Sequence, residues 1–117
     1  MGKFVITQRI NKEYQFNLKA GNGEIILTSE GYVQKASCHK GIESVRVNSQ
    51  DDSKYDRRTA VNGKDYFVLK ARNGEIIGKS QLYSSKSAME GGINAVKSNA
   101  PTAEIVDETL KSQTHGS

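Results

Sequence analysis

Two copies of the pattern Ser-x-x-Tyr-x-x-Lys bring together residue types that could transfer protons. The positions are Ser29, Tyr32 and Lys35, and then Ser80, Tyr83 and Lys86. A lysine charge close to a tyrosine would lower the pKa of the phenol, so that the ring could exchange a proton with a substrate. The spacing differs from the Tyr-x-x-x-Lys of short-chain dehydrogenases, and no glycine-rich nucleotide loop follows a first strand. We expect these residues to serve mainly in packing, and we keep the two tyrosines and two lysines as candidate binding residues.

A second group of candidates is cationic. Lys19 and Lys70 are predicted to end strands on the face opposite Phe16 and Phe67, and Arg72 follows closely. Positive charge beside aromatic rings on an uncovered sheet face is one arrangement that binds single-stranded nucleic acid. Lysine on a sheet also guards against aggregation, so the pattern favours this function only weakly. The residues expected to contribute to this basic face are Lys19, Lys70 and Arg72, with Arg57, Arg58, Lys79, Tyr14 and Tyr66.

The sequence predicts neither a metal site nor a redox-active site. It contains one cysteine and two histidines. Cys38 lies on the predicted apolar face of a helix, where a cysteine usually packs. Single, separated histidines do not form a set of metal ligands. We expect no catalytic residues, no metal and no cofactor, and therefore a protein that is not an enzyme.

Composition bounds the class of protein. At 117 residues, with 35% hydrophobic residues and a net charge of +4, the chain suits one small domain. No apolar run reaches the ~20 residues that a membrane span needs, and the first residues alternate like a strand instead of forming a signal peptide. We expect a cytoplasmic monomer that does not bind membranes, with one domain at 1–110 and a disordered polar tail at 111–117.

The chain repeats itself at an offset of 51 residues. Residues 16–26 return almost unchanged as 67–77, and 18 of the 46 positions in 3–48 are identical to their counterparts, where composition alone would give about three. A repeat of this kind predicts two copies of one structural unit. We place repeat one at about 3–49, repeat two at about 54–100 and a closing strand at about 103–108. Each copy would be marginally stable alone, so we expect a shared core.

Each copy has the pattern of three strands followed by a helix. Asn22-Gly23 and Asn73-Gly74 lie between apolar runs and mark hairpin turns. The strands are predicted at 4–9, 16–20 and 24–29, and at the corresponding positions of copy two. The apolar period then changes to about 3.6, which predicts a helix over 35–48 and its equivalent, with Ser84 or Ser85 as the second N-cap. The fold class is therefore α+β: two β-β-β-α repeats related by pseudo-twofold symmetry, with an antiparallel sheet and both helices on one face.

The repeated motifs resemble those of a known family. Phe-x-Leu-Lys-Ala-x-Asn-Gly-Glu-x-Ile, then Ser-x-x-Tyr-x-x-Lys, then Gly-Ile-x-x-Val-x-x-Asn occur twice, over 16–48 and 67–99. This combination resembles the YegP-like family of small, mostly bacterial proteins. The resemblance implies a β-β-β-α unit used as a tandem pair or as a dimer of single units that form one sheet. It implies no activity and no catalytic residue, because that family is one of unknown function.

We therefore expect a non-enzymatic module that binds a protein or a small ligand, or that gives structural support. The binding surface would be the groove at the pseudo-twofold axis or the uncovered sheet face. The alternative is a nucleic-acid-binding module that uses a basic sheet face, and an enzyme ranks last. An asymmetric function should lie where the two copies differ, as at Gln15 against Tyr66, Asn17 against Val68 and His39 against Glu90.

Overall fold

Strands and helices alternate along the chain as two similar halves in the computed structural model, which describes residues 2–110. The tail predicted at 111–117 lies outside these residues. The elements are β1 Lys3–Gln8, β2 Tyr14–Lys19, β3 Ile25–Thr28, α1 Lys35–Asn48, a short 3-10 turn Asp52–Lys54, β4 Tyr55–Thr59, β5 Asp65–Lys70, β6 Ile76–Lys79, α2 Lys86–Asn99 and β7 Glu104–Asp107. The predicted α+β class with two tandem units is confirmed.

The Asn-Gly pairs close hairpins as predicted. Gly23 and Gly74 both have φ of +88°, a backbone conformation that glycine adopts without steric cost. Asn22 Oδ1 accepts a hydrogen bond from the N–H of Glu24 at 3.0 Å, and Asn73 does the same for Glu75. The turn chemistry therefore fixes the register of β2 with β3 and of β5 with β6.

The strands form one sheet in the order β4-β5-β6-β3-β2-β1-β7. β4, β5 and β6 of the second copy are equivalent to β1, β2 and β3 of the first, and they lie in the opposite order across the sheet. A pseudo-twofold axis therefore passes between β3 and β6. We call this β3–β6 pair the seam; its register joins Thr28 to Lys79. All pairs are antiparallel except β1 with β7, which is parallel. The sequence pattern did not predict this parallel pair.

Both helices pack on the same face of the sheet and join the two halves. α1 contacts β2 of its own half and β5 and β6 of the other, whereas α2 contacts β5 of its own half and β3 of the other. Neither half can therefore cover its strands without the second helix, which explains the shared core. The buried side chains of this core include Phe4, Ile6, Phe16, Leu18, Leu27, Tyr55, Phe67 and Leu69 from the strands and Cys38, Ile42, Val45, Met89, Ile93 and Val96 from the helices.

The two helices begin differently, as their sequences predict. Ser85 caps α2, since its Oγ accepts a hydrogen bond from the N–H of Ala88 at 3.0 Å. Gln34 precedes α1 and makes no such bond. Among residues 2–110, no helix combines the length and the apolar character that crossing a bilayer requires.

Candidate functional site

The tyrosine and lysine of the first Ser-x-x-Tyr-x-x-Lys motif have different partners. The Tyr32 ring stacks on Phe16, with centroids 6.4 Å apart and planes at 13°. Lys35 Nζ lies 2.9 Å from Asp107 Oδ2 instead. Burial raises the pKa of Tyr32, which is the opposite of the shift that proton transfer near neutral pH would need. This geometry favours packing as the role of the motif.

The second motif is arranged in the same way. Tyr83 stacks on Phe67, with centroids 6.5 Å apart and planes at 11°, and burial raises its pKa as well. Lys86 is exposed at the first position of α2. The repeated tyrosines therefore anchor the loop before each helix to the core.

The serines of the two motifs tie strands together. Ser29 Oγ accepts a hydrogen bond from the N–H of Phe16 at 2.9 Å and donates one to the C=O of Glu30 at 2.8 Å. Ser80 makes the equivalent pair of bonds to Phe67 and Gln81, at 3.0 and 2.8 Å. Because each hydroxyl already donates its proton to a backbone oxygen, neither serine is placed as an activated nucleophile.

The predicted basic face is less basic than the sequence indicated. Lys70 Nζ lies 3.3 Å from Asp56 Oδ2, and Arg58 Nη2 lies 2.9 Å from the same oxygen. Arg57 lies on the helix side, where it binds Glu90 and Asp52. The reason is strand alternation: Arg57 is opposite the buried Phe67 and so shares its face.

The remaining candidates are dispersed. Lys19 ends β2 beside Ile25, and Arg72 is exposed in the turn after β5. Tyr14 lies on the helix side with its ring 5.7 Å from Lys35 Nζ, whereas Tyr66 lies on the opposite side of the sheet. We call the side opposite the helices the open face. Among the described residues, Tyr66 is the aromatic ring that this face presents.

A pocket of about 600 Å³ lies on the open face over the seam; we call it the seam pocket. Its apolar lining comes from both halves, with Ile25 on β3, Ile76 on β6 and Val68 on β5. Val68 is only 2% exposed, although it faces away from the helices. The volume falls within the range of small-molecule sites, and an apolar lining is typical of them.

Charged and aromatic groups surround this lining. Lys79 Nζ lies 5.1 Å from the centroid of the Tyr66 ring, and both residues line the pocket together with Arg9 and Arg58. Glu30 contributes the carboxylate of the lining. Arg58 pairs with Asp56, and Arg9 lies 3.8 Å from Glu13. Lys79 therefore supplies the positive charge of the rim that no carboxylate in residues 2–110 pairs, and this charge favours an anionic ligand.

The seam pocket lies where the two repeats differ. Tyr66 and Val68 correspond to Gln15 and Asn17, and Lys79 corresponds to Thr28. In the first half, the equivalent positions hold two polar side chains that bond to each other: Thr28 Oγ1 donates a hydrogen bond to Asn17 Oδ1 at 2.8 Å. Three residues expected on the basic face line this pocket, namely Arg58, Lys79 and Tyr66, whereas the candidates Tyr32, Lys35, Tyr83, Lys86, Lys19, Lys70 and Arg72 do not. The divergence of positions 66 and 68 was a further sequence signal that pointed to it.

The described residues hold no group of three or more His, Cys, Asp or Glu side chains that could bind a metal ion. Cys38 is buried on α1, and burial first, with the nearby charge of Asp107 second, raises its pKa to about 11. A thiol with this pKa is protonated at neutral pH and unreactive.

Comparison with known proteins agrees with the repeated architecture. A family described as "Domain of unknown function (DUF1508)" matches twice, over residues 11–56 and 60–107. Each match runs from the second strand of a repeat through its helix into the strand that follows. The fold thus defines a protein of two tandem domains of this class.

Individual relatives match over nearly the whole chain. The UPF0339 protein ACIAD0721 of Acinetobacter baylyi is 52% identical over 108 residues, which are 92% of this chain and 97% of the relative. The UPF0339 protein YegP of Escherichia coli K12 is 48% identical over 108 residues, 92% of this chain and 98% of the relative. The chain therefore belongs to the UPF0339, or YegP-like, family, as its motifs indicated.

Solved structures of two relatives have the same fold. The solution structure of YegP from E. coli, described as a protein of unknown function, superposes with a TM-score of 0.87 at 48% identity and covers 91% of both chains. The solution structure of the UPF0339 protein SO3888 from Shewanella oneidensis gives a TM-score of 0.90 at 46% identity and covers 97% of both.

Proposed function

We propose that this protein is a non-catalytic binding module whose seam pocket holds a small organic anion with an apolar body. The observation that carries the proposal is the pocket itself, an apolar depression of about 600 Å³ with a cationic rim on the face that the helices leave uncovered. Ile25 in this pocket is 41% exposed, whereas Val5 elsewhere on the open face is 5% exposed, so a ligand gains from desolvation here.

The apolar part of the ligand would contact Ile25, Ile76 and Val68. Ile25 is 41% exposed, and an aromatic or branched aliphatic group laid against it would remove that surface from water. Burial of apolar area contributes roughly 25 cal/mol per Å². A flat ring also fits beside Tyr66, whose own ring borders the pocket.

The anionic part of the ligand would interact with Lys79 and Arg9. Arg58 already pairs with Asp56, and Arg9 donates a hydrogen bond to Gln15 Oε1 and lies 3.8 Å from Glu13 Oε1. Lys79 lies over the Tyr66 ring and has no carboxylate within ion-pair distance in residues 2–110. It is therefore the cation that a carboxylate or sulfonate can reach without breaking an existing ion pair.

Binding without catalysis is supported by the state of the polar groups in the pocket. Ser29 and Ser80 donate their hydroxyl protons to backbone oxygens. The lining includes neither histidine nor cysteine, and the Glu30 carboxylate does not accept a proton from either serine, which supports a role in binding.

The experiment is a calorimetric titration with 1-naphthoate as the probe and 1-naphthamide as its uncharged counterpart. At about 0.3 kcal/mol per non-hydrogen atom, the naphthoate would bind with a Kd of about 1 mM or tighter. Lys79→Gln should weaken naphthoate binding about 2- to 5-fold, as expected for a partly exposed ion pair. It should leave naphthamide binding unchanged.

Two variants complete the design. Lys19→Gln removes the same charge from the open face outside the pocket and should leave the Kd unchanged. Tyr66→Gln places the residue of repeat one in the pocket and should weaken both probes, because both lose contact with the ring. Equal weakening by Lys79→Gln and Lys19→Gln, or the absence of any heat of binding, would contradict the proposal.

A nucleic-acid ligand is the second candidate, and the Lys79–Tyr66 pair is the observation that favours it. A base stacked on Tyr66 with its phosphate near Lys79 would use both groups. It ranks second because Lys70 and Arg58 are already paired with Asp56. Binding of mixed single-stranded oligonucleotides that falls steeply with salt would support it, and equal retention on heparin and a neutral resin would exclude it.

A further inference from the structure

The two outer edges of the sheet differ. At one edge, β7 pairs in parallel with β1, from Lys3 opposite Glu104 to Ile6 opposite Asp107. At the other edge, β4 pairs with β5 alone within residues 2–110. β1 and β4 are the equivalent first strands of the two repeats. One half of the molecule thus covers a strand edge that the other half leaves open.

The open edge of β4 presents the same backbone template that β7 uses on β1. The N–H of Ala60 bonds to the C=O of Lys64 at 2.8 Å, which makes this pair a hydrogen-bonded one. Bonded pairs alternate in an antiparallel ladder, so Arg58 directs its N–H and C=O to β5 and Arg57 and Thr59 direct theirs outward. Arg57 corresponds to Ile6, which is paired with Asp107 of β7, and Thr59 corresponds to Gln8, which lies beyond the last paired residue of β1.

The side chains around the two edges are equivalent as well. Next to β1, Asp107 of β7 pairs with Lys35 at the start of α1, at 2.9 Å. Next to β4, the equivalent lysine is Lys86 at the start of α2. Lys86 is exposed and forms no ion pair with any residue in 2–110.

A small pocket of about 200 Å³ marks the corresponding place beside β4. Its lining includes Lys86, Arg57, Thr59 and Met89. Met89 corresponds to Cys38 of the first half. Asp107 lies near Cys38, since its charge helps to raise the pKa of that thiol. In the first half, Asp107 therefore lies close to the place that corresponds to this pocket. Arg57 in this lining is already bound by Glu90 and Asp52, and Arg58 by Asp56, so Lys86 is the lining cation that no carboxylate in residues 2–110 pairs.

We propose that the edge of β4 is a docking site for an extended acidic segment of a partner protein, which adds to the sheet in parallel as β7 does on β1. The segment would carry a carboxylate at the position of Asp107, and this carboxylate would pair with Lys86. Backbone hydrogen bonds to Tyr55 and Arg57, as to their equivalents Phe4 and Ile6 in β1, and to Thr59 one bonded pair further along would supply the affinity. The Lys86 ion pair would fix the register. The internal strand β7 is the pattern for the ligand.

The test uses a fluorescently labelled peptide with the sequence of residues 102–109, Thr-Ala-Glu-Ile-Val-Asp-Glu-Thr, added to the full chain. Anisotropy should rise on binding. Lys86→Gln should weaken binding about 2- to 5-fold, and so should replacing the peptide's aspartate by asparagine. The two changes together should weaken it no further than one alone, because both remove the same ion pair. Lys40→Gln, on the exposed side of α1, is the control of equal charge.

A second variant tests the backbone bonds without using charge. Thr59→Pro removes an outward N–H that the end of the peptide would bond and leaves the β4–β5 ladder intact, so it should weaken peptide binding. Thr59→Ala removes only the hydroxyl that donates to Asp65 and should bind as the parent does. Thermal melting of each variant shows that it is folded.

Amide chemical shifts identify the edge that is used. The proposal predicts that the peptide perturbs Arg57, Thr59 and Lys86. Perturbation of β1 instead, or binding that neither Thr59→Pro nor Lys86→Gln weakens, would overturn it, as would no rise in anisotropy up to about 1 mM peptide. Dimerisation of the free protein that Thr59→Pro abolishes would overturn it in favour of a second copy of this chain.

Discussion

The Leu27 side chain fills the space that a side chain at position 78 would need. A Cβ built on Gly78 would lie 2.6 Å from both Cγ and Cδ2 of Leu27. The two positions are equivalent in the repeats and adjoin the seam, on the helix side of β3 and β6. The leucine at position 27 and the glycine at position 78 thus fit together in a space near the axis that two leucines would overfill.

Gly78→Ala should lower the free energy of unfolding by about 1–3 kcal/mol, because Leu27 is fully buried and cannot move away. Leu27→Ala alone should cost about 2–5 kcal/mol through the cavity that it leaves. The double variant should be more stable than the sum of the two changes predicts, since the methyl group added at position 78 enters that cavity. Urea unfolding measures all three variants, and strict additivity would show that the two positions do not share space.

Adjacent glycines in α2 should respond in opposite directions to alanine. A Cβ on Gly91 would meet no heavy atom within 4 Å, so Gly91→Ala should raise the free energy of unfolding by about 0.5–1 kcal/mol through helix propensity. A Cβ on Gly92 would overlap Tyr83 Oη and lie 2.6 Å from its Cζ. Gly92→Ala should therefore lower it by about 1–2 kcal/mol. Thermal melting that finds the two variants equally stable would refute this close contact.

Lys12 carries a backbone strain that its counterpart avoids. Its φ is +72°, and the equivalent residue of the second repeat is Gly63 with φ of +83°. Lys12→Gly should raise the free energy of unfolding by about 0.5–1 kcal/mol, because relief of the strain exceeds the entropy that glycine adds to the unfolded chain. Lys12→Ala keeps the strain and should change little. Equal stability of the glycine and alanine variants in urea would count against this interpretation.

The ion pair between Lys35 and Asp107 should make stability depend on acid pH. Burial raises the pKa of Asp107, but hydrogen bonds from Lys35 and Thr109 outweigh it, so that the pKa lies below its usual range. A carboxyl whose pKa is lowered on folding stabilises the protein above its unfolded-state pKa, about 3.9. That contribution is lost as pH falls through the folded-state pKa.

Asp107→Asn should therefore lower the free energy of unfolding at pH 7 by about 1–3 kcal/mol and reduce its loss below about pH 4. Glu104→Gln, on the exposed part of the same strand, is the control and should change little. Urea unfolding between pH 3 and 7 provides the comparison. An unchanged acid slope in Asp107→Asn would show that other carboxylates account for it.

Much of the fold was predictable because its signals are local. The asparagine-glycine turns define the hairpins, and the helix predicted over 35–48 is α1. The serine N-cap of α2 was predicted to within one residue. Alternation placed Phe16 and Leu18 in the core, and the same rule applied to β4 would have placed Arg57 with Tyr55 on the helix side.

The parallel pairing of β7 and the seam pocket were not predictable in the same way. A strand pattern does not specify a partner that lies about a hundred residues away, so the sequence left open where 103–108 would add. The pocket requires Ile25 and Ile76 from different repeats to be neighbours, and this follows from the strand order alone. The expected basic face and the divergence at Tyr66 and Val68 pointed to that surface, but neither predicted a pocket.

The most direct test of ligand binding in the seam pocket is a map of amide chemical shifts during titration with 1-naphthoate. The account predicts that the perturbed amides cluster at Val68, Ile76 and Lys79 and across the seam at Ile25 and Thr28. It also predicts that this cluster disappears in Tyr66→Gln but persists in Lys19→Gln. Perturbations scattered over the surface, or the same map in Tyr66→Gln as in the parent protein, would contradict it.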